Sequence, residues 1–442
     1  MVTPRQPRGP DRRQGAGLPR QRAGRPPRPP GPAWARWADR AAGLGRRRPV
    51  QLLACLVAAG WAGGFPLVSR LANQRLWGET AAPAYLLAGL AVLLLPRWAA
   101  GRAAALITLG GAVLLPLTLL AVQRRAQSEV GVVERAAALL LHTGTPYLPD
   151  PVAVTDFNPY LPAMALFGLP RALLGTGGPA ALLLGDARVW FAAAFLGCLA
   201  VSWRLLSPDR ASPLLPLALL TGSPLIALSL TVGGVDLPLI GVCCLALALA
   251  ARGRPLAAGL VLALACTLKW TAWPALPVAL LLLRRRHGNR AALRTAAVTV
   301  ALAAAVILPF ALSRPQDLRL QVVRYPLGLT PVRTPAGSPL PGKLIADLGP
   351  AGHSAALLLI LAGCLAVAGW ALRRPPAGAA AAADRLAAGL TTAFLLAPAG
   401  RFGYLALPAV LVCWPRLAAH HWPGRTTGRA RTVDGGSVTL TR

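Results

Sequence analysis

Acidic residues that could do chemistry are concentrated in one polar stretch, residues 129–162. It holds Glu129, Glu134, Asp150 and Asp156, although the whole chain has only 14 Asp and Glu residues. A carboxylate can accept a proton as a general base, and the prolines of this stretch favour fixed turns. A segment that only crosses lipid needs neither feature. We therefore predict that this stretch lies outside the membrane and forms the floor of an active site.

Cations inside apolar sequence are the second candidate for chemistry. Lys269 is one of only two lysines, and it interrupts a long apolar run. A charge at membrane depth costs several kcal/mol unless it is paired or near the interface. Lys269 is therefore interpreted either as a phosphate contact or as one half of an ion pair with Asp236. Arg401 lies between two apolar runs and is interpreted in the same way, and Arg333 could line the same site from a second loop.

The apolar composition indicates which class of protein must position these charges. The chain has 442 residues, of which 55% are hydrophobic, and its mean hydropathy of +0.54 is rarely reached by soluble proteins. Apolar runs of about 18 or more residues recur, and a helix of that length crosses the hydrocarbon core. These runs lack the alternation of a membrane barrel. We predict an all-α, polytopic membrane protein with about 11–13 transmembrane helices.

Two polar loops interrupt the predicted membrane domain, residues 50–419. Counting spans from the first one places the loops at about 123–158 and 313–352 on the outer face. Arg124 and Arg125 depart from the positive-inside tendency at this point.

Two apolar segments allow more than one arrangement. Residues 257–283 have basic clusters at both ends and Lys269 inside. They form either a helical hairpin with Lys269 near its outer turn or one tilted helix with Lys269 at mid-membrane. Residues 160–175 form either a short span or a helix that lies at the interface.

Basic tails flank the membrane domain, at residues 1–49 and 420–442. They carry much of the net charge of +32. Basic residues beside membrane spans set orientation and attract anionic lipid headgroups, so this charge does not indicate nucleic-acid binding. The N-terminal tail is rich in Pro, Arg and Gly, and we expect it to be disordered. Both tails are predicted to be cytoplasmic, in a multi-pass protein of the plasma membrane.

A set of short motifs resembles glycosyltransferase family 87. Glu129 precedes AAALLLHTG and Pro-Tyr, and a turn follows that reads NPYLP (158–162). Gly-Gly-Val-Asp (233–236) stands where the family often has Gly-Gln-x-Asn, and AAGLVLALACTLKW ends at Lys269 and Trp270. The resemblance covers about residues 125–290 and, more faintly, the region of Arg401. The family usually has an aspartate where this chain has Glu129.

That resemblance implies a fold, an activity and roles for residues. The fold would be of the GT-C type. The activity would be transfer of a hexose, mannose in several family members, from a polyprenyl-phosphate donor to a glycolipid or envelope glycan on the outer face, by an inverting mechanism. No metal and no cofactor are implied. The alternatives are a non-catalytic relative and a transporter of a lipid-linked or anionic substrate.

Such a transfer needs a base, a phosphate site and sugar contacts. Glu129 is the first candidate for the general base, although a glutamate facing the interface is the alternative. Asp156 is the second candidate, with a simple turn residue as its alternative. Lys269, Arg401 and Arg333 are the candidates for binding the donor phosphate. The predicted substrate contacts are Tyr147, Asn158, Tyr160, Asp236 and Trp270, although Trp270 could equally belong to an aromatic belt.

Overall fold

The computed structural model describes residues 47–207 and 212–419. Apart from residues 47–49, the two predicted tails lie outside this range. The described residues form helices and loops without a strand, so the all-α prediction is confirmed. The helices, in chain order, are α1 (Arg48–Val68), α2 (Ala72–Leu94), α3 (Arg97–Val122), α4 (Ser128–Thr143), α5 (Pro162–Leu174), α6 (Pro179–Gly185), α7 (Ala187–Leu206), α8 (Leu214–Thr221), α9 (Pro224–Val232), α10 (Leu237–Ala251), α11 (Pro255–Leu268), α12 (Ala275–His287), α13 (Asn289–Ser313), α14 (Pro341–Ala346), α15 (Pro350–Arg373), α16 (Ala379–Leu396) and α17 (Phe402–Ala419).

Eight of the described helices are long and apolar enough to cross a membrane: α1, α2, α3, α7, α13, α15, α16 and α17. Helices α8 and α9 meet at an angle of 73° and add a ninth crossing if they form one broken span. Helices α5, α10 and α11 are apolar but shorter. The sequence-based number of 11–13 is larger because hydropathy alone does not separate short buried helices from spans.

Helix ends meet in two layers, which we call the basic end and the site end. The basic end contains the start of α1, whose Arg48 side chain donates to the carbonyl oxygen of Leu95. The site end contains the loop before α4, where the backbone N–H of Gln127 donates to Val232 O at 2.7 Å. Because successive helices alternate in direction, the described acidic residues lie in the site-end half, with Asp384 as the exception.

Helix α10 forms the centre of the bundle. All but one of its 15 residues are buried, which explains why it is apolar on every side. Its closest neighbour is α7, and a Cβ on Gly241 would lie 2.9 Å from the backbone of Phe195. Small residues allow helix backbones to approach in this way within a membrane. The tight packing fixes Asp236, the residue that precedes α10.

Residues 257–283 form a helical hairpin, one of the two arrangements that the sequence allows. His287, at the end of α12, places Nε2 3.4 Å from the carbonyl oxygen of Ala251, just before α11. Thr295, near the start of α13, donates from Oγ1 to Pro255 O at 2.9 Å. Both ends of the hairpin are therefore at the basic end. Lys269 lies at its tip, at the site end.

The tip of the hairpin is recessed below the surface of the site end. At a rise of 1.5 Å per residue, the 15-residue α10 spans about 22 Å and the 25-residue α13 about 37 Å from the basic end. The level of Asp236 and Lys269 thus lies about 15 Å below the outer end of α13. This step leaves room for a cavity between the long helices.

Candidate functional site

Two ion pairs converge at the site end. Arg401 Nη1 lies 2.6 Å from Glu129 Oε1, and Lys269 Nζ lies 2.6 Å from Asp236 Oδ1. The side chains are 13–27% exposed, with Lys269 the most buried and Arg401 the least. The ion-pair alternative for Lys269 is therefore the contact that the structure contains.

Four separate parts of the chain supply these side chains. Glu129 lies in the first turn of α4, where a carboxylate also interacts favourably with the helix dipole. Asp236 precedes α10 and lines the cavity, whereas Lys269 follows α11 and reaches the site through its contact with Asp236. Arg401 lies in the turn between α16 and α17. The elements that converge on the site are thus a helix start, two recessed helix ends and a turn.

The second outer loop holds the Arg401 turn in place. The N–H of Ser338 donates to Gly400 O, and the N–H of Gly400 donates to Ala336 O, both at 3.0 Å. These two bonds form a small parallel bridge between the loop and the turn. The loop predicted at 313–352 therefore packs against the site, although Arg333 itself is exposed and does not line the cavity.

Two tyrosine rings surround the Lys269 ammonium. Nζ lies 4.9 Å from the centroid of the Tyr404 ring and 5.7 Å from that of Tyr160, distances at which a cation is attracted to an aromatic face. Burial, followed by the nearby Glu129 carboxylate, raises the pKa of Tyr160 well above its ordinary value. Its hydroxyl therefore stays protonated and can donate a hydrogen bond, but it cannot serve as a base.

A cavity of about 1280 Å³ opens beside the two ion pairs. Its polar wall includes Glu129, Asp236, Arg401 and Tyr404. The apolar part of the lining comes from α1, α9, α10 and the residue before α2: Trp61, Phe65, Leu71, Leu225, Leu228, Val232, Leu237 and Ile240. Trp61 and Phe65 pack edge to face with Trp77, with ring centroids 4.9–5.7 Å apart. One cavity therefore combines charged groups with an apolar surface.

Several predicted residues hold the first outer loop and do not line this cavity. Asp156 accepts the N–H groups of Val152 and Ala153 at 3.3 and 2.8 Å, as a turn residue does. Asn158 donates to Pro146 O at 3.0 Å, and the Tyr147 hydroxyl donates to Tyr160 O at 2.9 Å.

Trp270 lies at the hairpin tip and is 44% exposed. It is also outside the cavity wall formed by the described residues. Of the predicted substrate contacts, Asp236 lines the cavity, and Tyr160 lies behind the Lys269 ammonium.

Arg124 and Arg125 line the cavity and were missed as functional candidates in the sequence. Both are exposed, and they precede Gln127, Ser128 and Glu129, which line the cavity as well. The available signal was their departure from the positive-inside tendency.

Comparisons with known proteins place the chain in context. The model of glycosyltransferase family 87 matches residues 158–398, more than half of the chain. Asp236, Lys269 and the second outer loop lie inside the matched range, whereas Glu129 and Arg401 lie outside it. Searches of curated proteins and of solved structures found no match.

Proposed function

Because the chain belongs to glycosyltransferase family 87 and is accordingly a membrane glycosyltransferase, we propose that it transfers a hexose from a polyprenyl phosphate. The sugar is mannose, and the acceptor is a glycolipid or envelope glycan. The supporting observation is that Glu129, Arg401, Asp236 and Lys269 meet beside a cavity that has one charged and one apolar wall.

Glu129 acts as the general base in this proposal. The acceptor hydroxyl gives its proton to the Glu129 carboxylate while its oxygen bonds to the anomeric carbon of the sugar. The bond between that carbon and the phosphate oxygen breaks, and its electron pair leaves with the polyprenyl phosphate. Direct displacement inverts the anomeric centre. Glu129 lines the cavity from the first turn of α4, whereas Asp236, the other carboxylate of the wall, is paired with Lys269.

The phosphate is held by Arg401 and Lys269. The two ion pairs together carry no net charge, so a donor with one negative charge would leave the site negative. Arg124 and Arg125 on the same cavity wall compensate for this charge and for the second charge that develops on the leaving phosphate. When Arg401 moves to the phosphate, it releases the Glu129 carboxylate to accept a proton.

Apolar side chains of the cavity lining accommodate the start of the polyprenyl tail. Leu225 is 37% exposed, and Leu71 is 50% exposed. Both line the cavity and belong to the region between α1, α2 and α9. A tail in this region remains in contact with lipid while the sugar faces Glu129. The site end then lies on the extracytoplasmic face of the plasma membrane, and both termini are cytoplasmic.

Transfer assays with carboxylate variants test this proposal. Membranes that contain the protein are given a short-chain polyprenyl-phosphate mannose and an envelope lipid extract. Glu129→Gln should lower the transfer rate by at least about 100-fold, the usual contribution of general base catalysis, at unchanged protein abundance. Asp156→Asn is the matched control and should keep most of the activity, because Asp156 accepts turn hydrogen bonds and does not line the cavity.

The opposite pattern would move the role of base to Asp156. Full activity in both variants would show that neither Glu129 nor Asp156 is the general base. No sugar transfer by the native protein, together with uptake of the donor into vesicles, would favour the transporter alternative.

Accessible cysteines test the orientation. Ala153→Cys lies in the exposed first loop, and Gly288→Cys lies at the basic end. A membrane-impermeant thiol reagent added to intact cells should label the first variant and not the second. Labelling of the second variant alone would reverse the proposed orientation.

A further inference from the structure

A second cavity, of about 460 Å³, lies beside the first one at the start of α4. The two cavities share four lining residues: Arg124, Ala126, Gln127 and Ser128. Glu129 follows Ser128 directly, so a ligand in the second cavity would lie one residue away from the proposed base. The proposed donor binding uses one residue of this space, Arg124, which lines both cavities.

Most of the residues that line the second cavity are polar. The first cavity has one broad apolar wall, whereas the apolar lining of the second is limited to small side chains such as Ala121, Val130 and Val132. Its polar groups include Gln127, Ser128, Thr155 and Thr176, together with four arginines and two carboxylates. Amide and hydroxyl groups of this kind bind sugar hydroxyls, and such a wall does not suit a polyprenyl tail.

Ion pairs occupy both carboxylates of this cavity. Asp186 receives two hydrogen bonds from the side chain of the buried Arg188, at 2.9 and 2.6 Å. Glu134 lies 3.4 Å from Arg171 Nε and accepts the N–H of Ala187 at 3.2 Å. These pairs balance two of the four arginines.

Arg124 and Arg135 are the surplus cations of the cavity. Neither forms an ion pair within the part of the chain that the structure describes. The Arg135 side chain donates to the carbonyl oxygen of Thr155 and keeps further N–H groups. The nearby Asp156 carboxylate offsets part of the Arg135 charge without forming an ion pair with it. The remaining positive charge of Arg124 and Arg135, beside sugar-binding groups, attracts an anion.

We propose that the second cavity binds the acceptor through an anionic group, so that the acceptor is a saccharide that carries a phosphate or a carboxylate. This assignment rests on the proposed transfer reaction for its role, but the binding itself can be measured without it. The volume is within the range of small-molecule sites. The acceptor anion contacts Arg135 and Arg124, and its hydroxyl extends past Ser128 to Glu129.

Ligand-induced stabilisation of the purified full-length protein tests the binding step. The probes are glucose 6-phosphate, glucuronate, glucose and inorganic phosphate, each measured by its shift of the thermal unfolding midpoint. Glucose 6-phosphate or glucuronate should stabilise the protein more than glucose or inorganic phosphate does, and the stronger of the two identifies the anionic group. Equal shifts for charged and neutral sugars would overturn the proposal.

Arginine variants then locate the binding. Arg135→Gln should weaken the apparent affinity for the charged sugar by at least about tenfold, as expected for loss of a charge-assisted hydrogen bond. Arg324→Gln is the matched control, because Arg324 is also exposed at the site end and also donates to a backbone carbonyl, that of Leu329. Arg401→Gln should weaken the affinity less than Arg135→Gln does, because Arg401 does not line the second cavity. The reverse pattern would place the sugar in the first cavity and overturn the proposal.

Kinetics separate this inference from the transfer reaction. Arg135→Gln should raise KM for the acceptor and leave KM for the donor unchanged, and Arg124→Gln should raise both because Arg124 lines both cavities. An unchanged acceptor KM in both variants would refute the second cavity as an acceptor site. If the native protein transfers no sugar but the charged probe still depends on Arg135, the proposed function fails and the anion site stands.

Discussion

Removing one partner of the Asp236–Lys269 pair should destabilise the protein by an amount that can be worked out from the structure. The charges are 2.6 Å apart at their nearest atoms, which corresponds to about 6 kcal/mol at an effective dielectric constant near 20. Breaking a buried pair typically costs about 3–5 kcal/mol. Since the side chains are 13% and 23% exposed, we expect about 3 kcal/mol, at the lower limit of that range.

Thermal unfolding of four purified variants measures this effect. Lys269→Met and Asp236→Asn should each lower the midpoint by about 6 °C, at roughly 2 °C per kcal/mol for a large chain. The double variant should unfold within about 2 °C of the native protein, because it leaves no unpaired charge. Lys343→Met is the control, since the Lys343–Asp347 pair is more exposed and should contribute at most about 1 kcal/mol.

Additive losses of stability in the double variant would contradict the coupling of Asp236 and Lys269. If the double variant loses the sum of the two single losses, the residues stabilise the fold independently and the pair carries no coupling. If the single variants unfold like the native protein, the charges at the hairpin tip are solvated.

Three further predictions concern the framework of the site. Arg188→Met should reduce protein abundance sharply because it leaves Asp186 and two backbone carbonyls without their hydrogen-bond donor. The control is Arg204→Met, an exposed substitution on the same helix, which should have little effect on protein abundance. Gly342→Ala should lower the unfolding midpoint, since the new Cβ would lie 2.0 Å from a carbonyl oxygen at the end of α16, and an unchanged midpoint would contradict that packing. Burial raises the pKa of Glu134 above its ordinary value of 4.5. The folded state therefore binds the Glu134 proton more tightly than the unfolded state does, and the stability from this group is lost as the pH rises through the folded pKa. Denaturation measured at a series of pH values should show this fall in stability in the native protein and a smaller fall in Glu134→Gln.

Individual charges were the part of the site that the sequence revealed best. Lys269 and Arg401 stood out because a charge in an apolar run is costly. Arg401 lines the cavity together with Glu129 and Asp236, whereas Lys269 lies outside the cavity wall and pairs with Asp236. The sequence offered Asp236 as an ion-pair partner of Lys269, and the two residues are 33 positions apart. The Glu129–Arg401 pair joins residues 272 positions apart, and no local pattern encodes such a contact.

Local hydrogen bonding explains where the sequence was ambiguous. Asp156 had a turn as its alternative role, and its carboxylate accepts two backbone N–H groups of that turn. Asn158 and Tyr147 stood out in the motif because the loop needs them for its own bonds. A conspicuous motif residue can therefore shape a site without lining it.

Helix number was harder to predict than helix type. Apolar runs identify helices in lipid, and the all-α class follows from them. Helix α10 is apolar because protein surrounds it on every side, and a buried short helix has the same composition as a span. Asp236 and Lys269 lie in a recess because α10 and α11 are short buried helices and not full spans. Composition does not distinguish the two kinds of helix, so the recess is seen in the structure alone.

The phosphate site can be measured by the affinity of the purified protein for a short-chain polyprenyl phosphate, compared with the corresponding polyprenol. The phosphate form should bind at least about tenfold more tightly, as a charge-assisted contact would provide, and Arg401→Gln should remove most of this preference. Equal affinity for the two lipids, or a preference that Arg401→Gln leaves intact, would contradict a phosphate site built from these ion pairs.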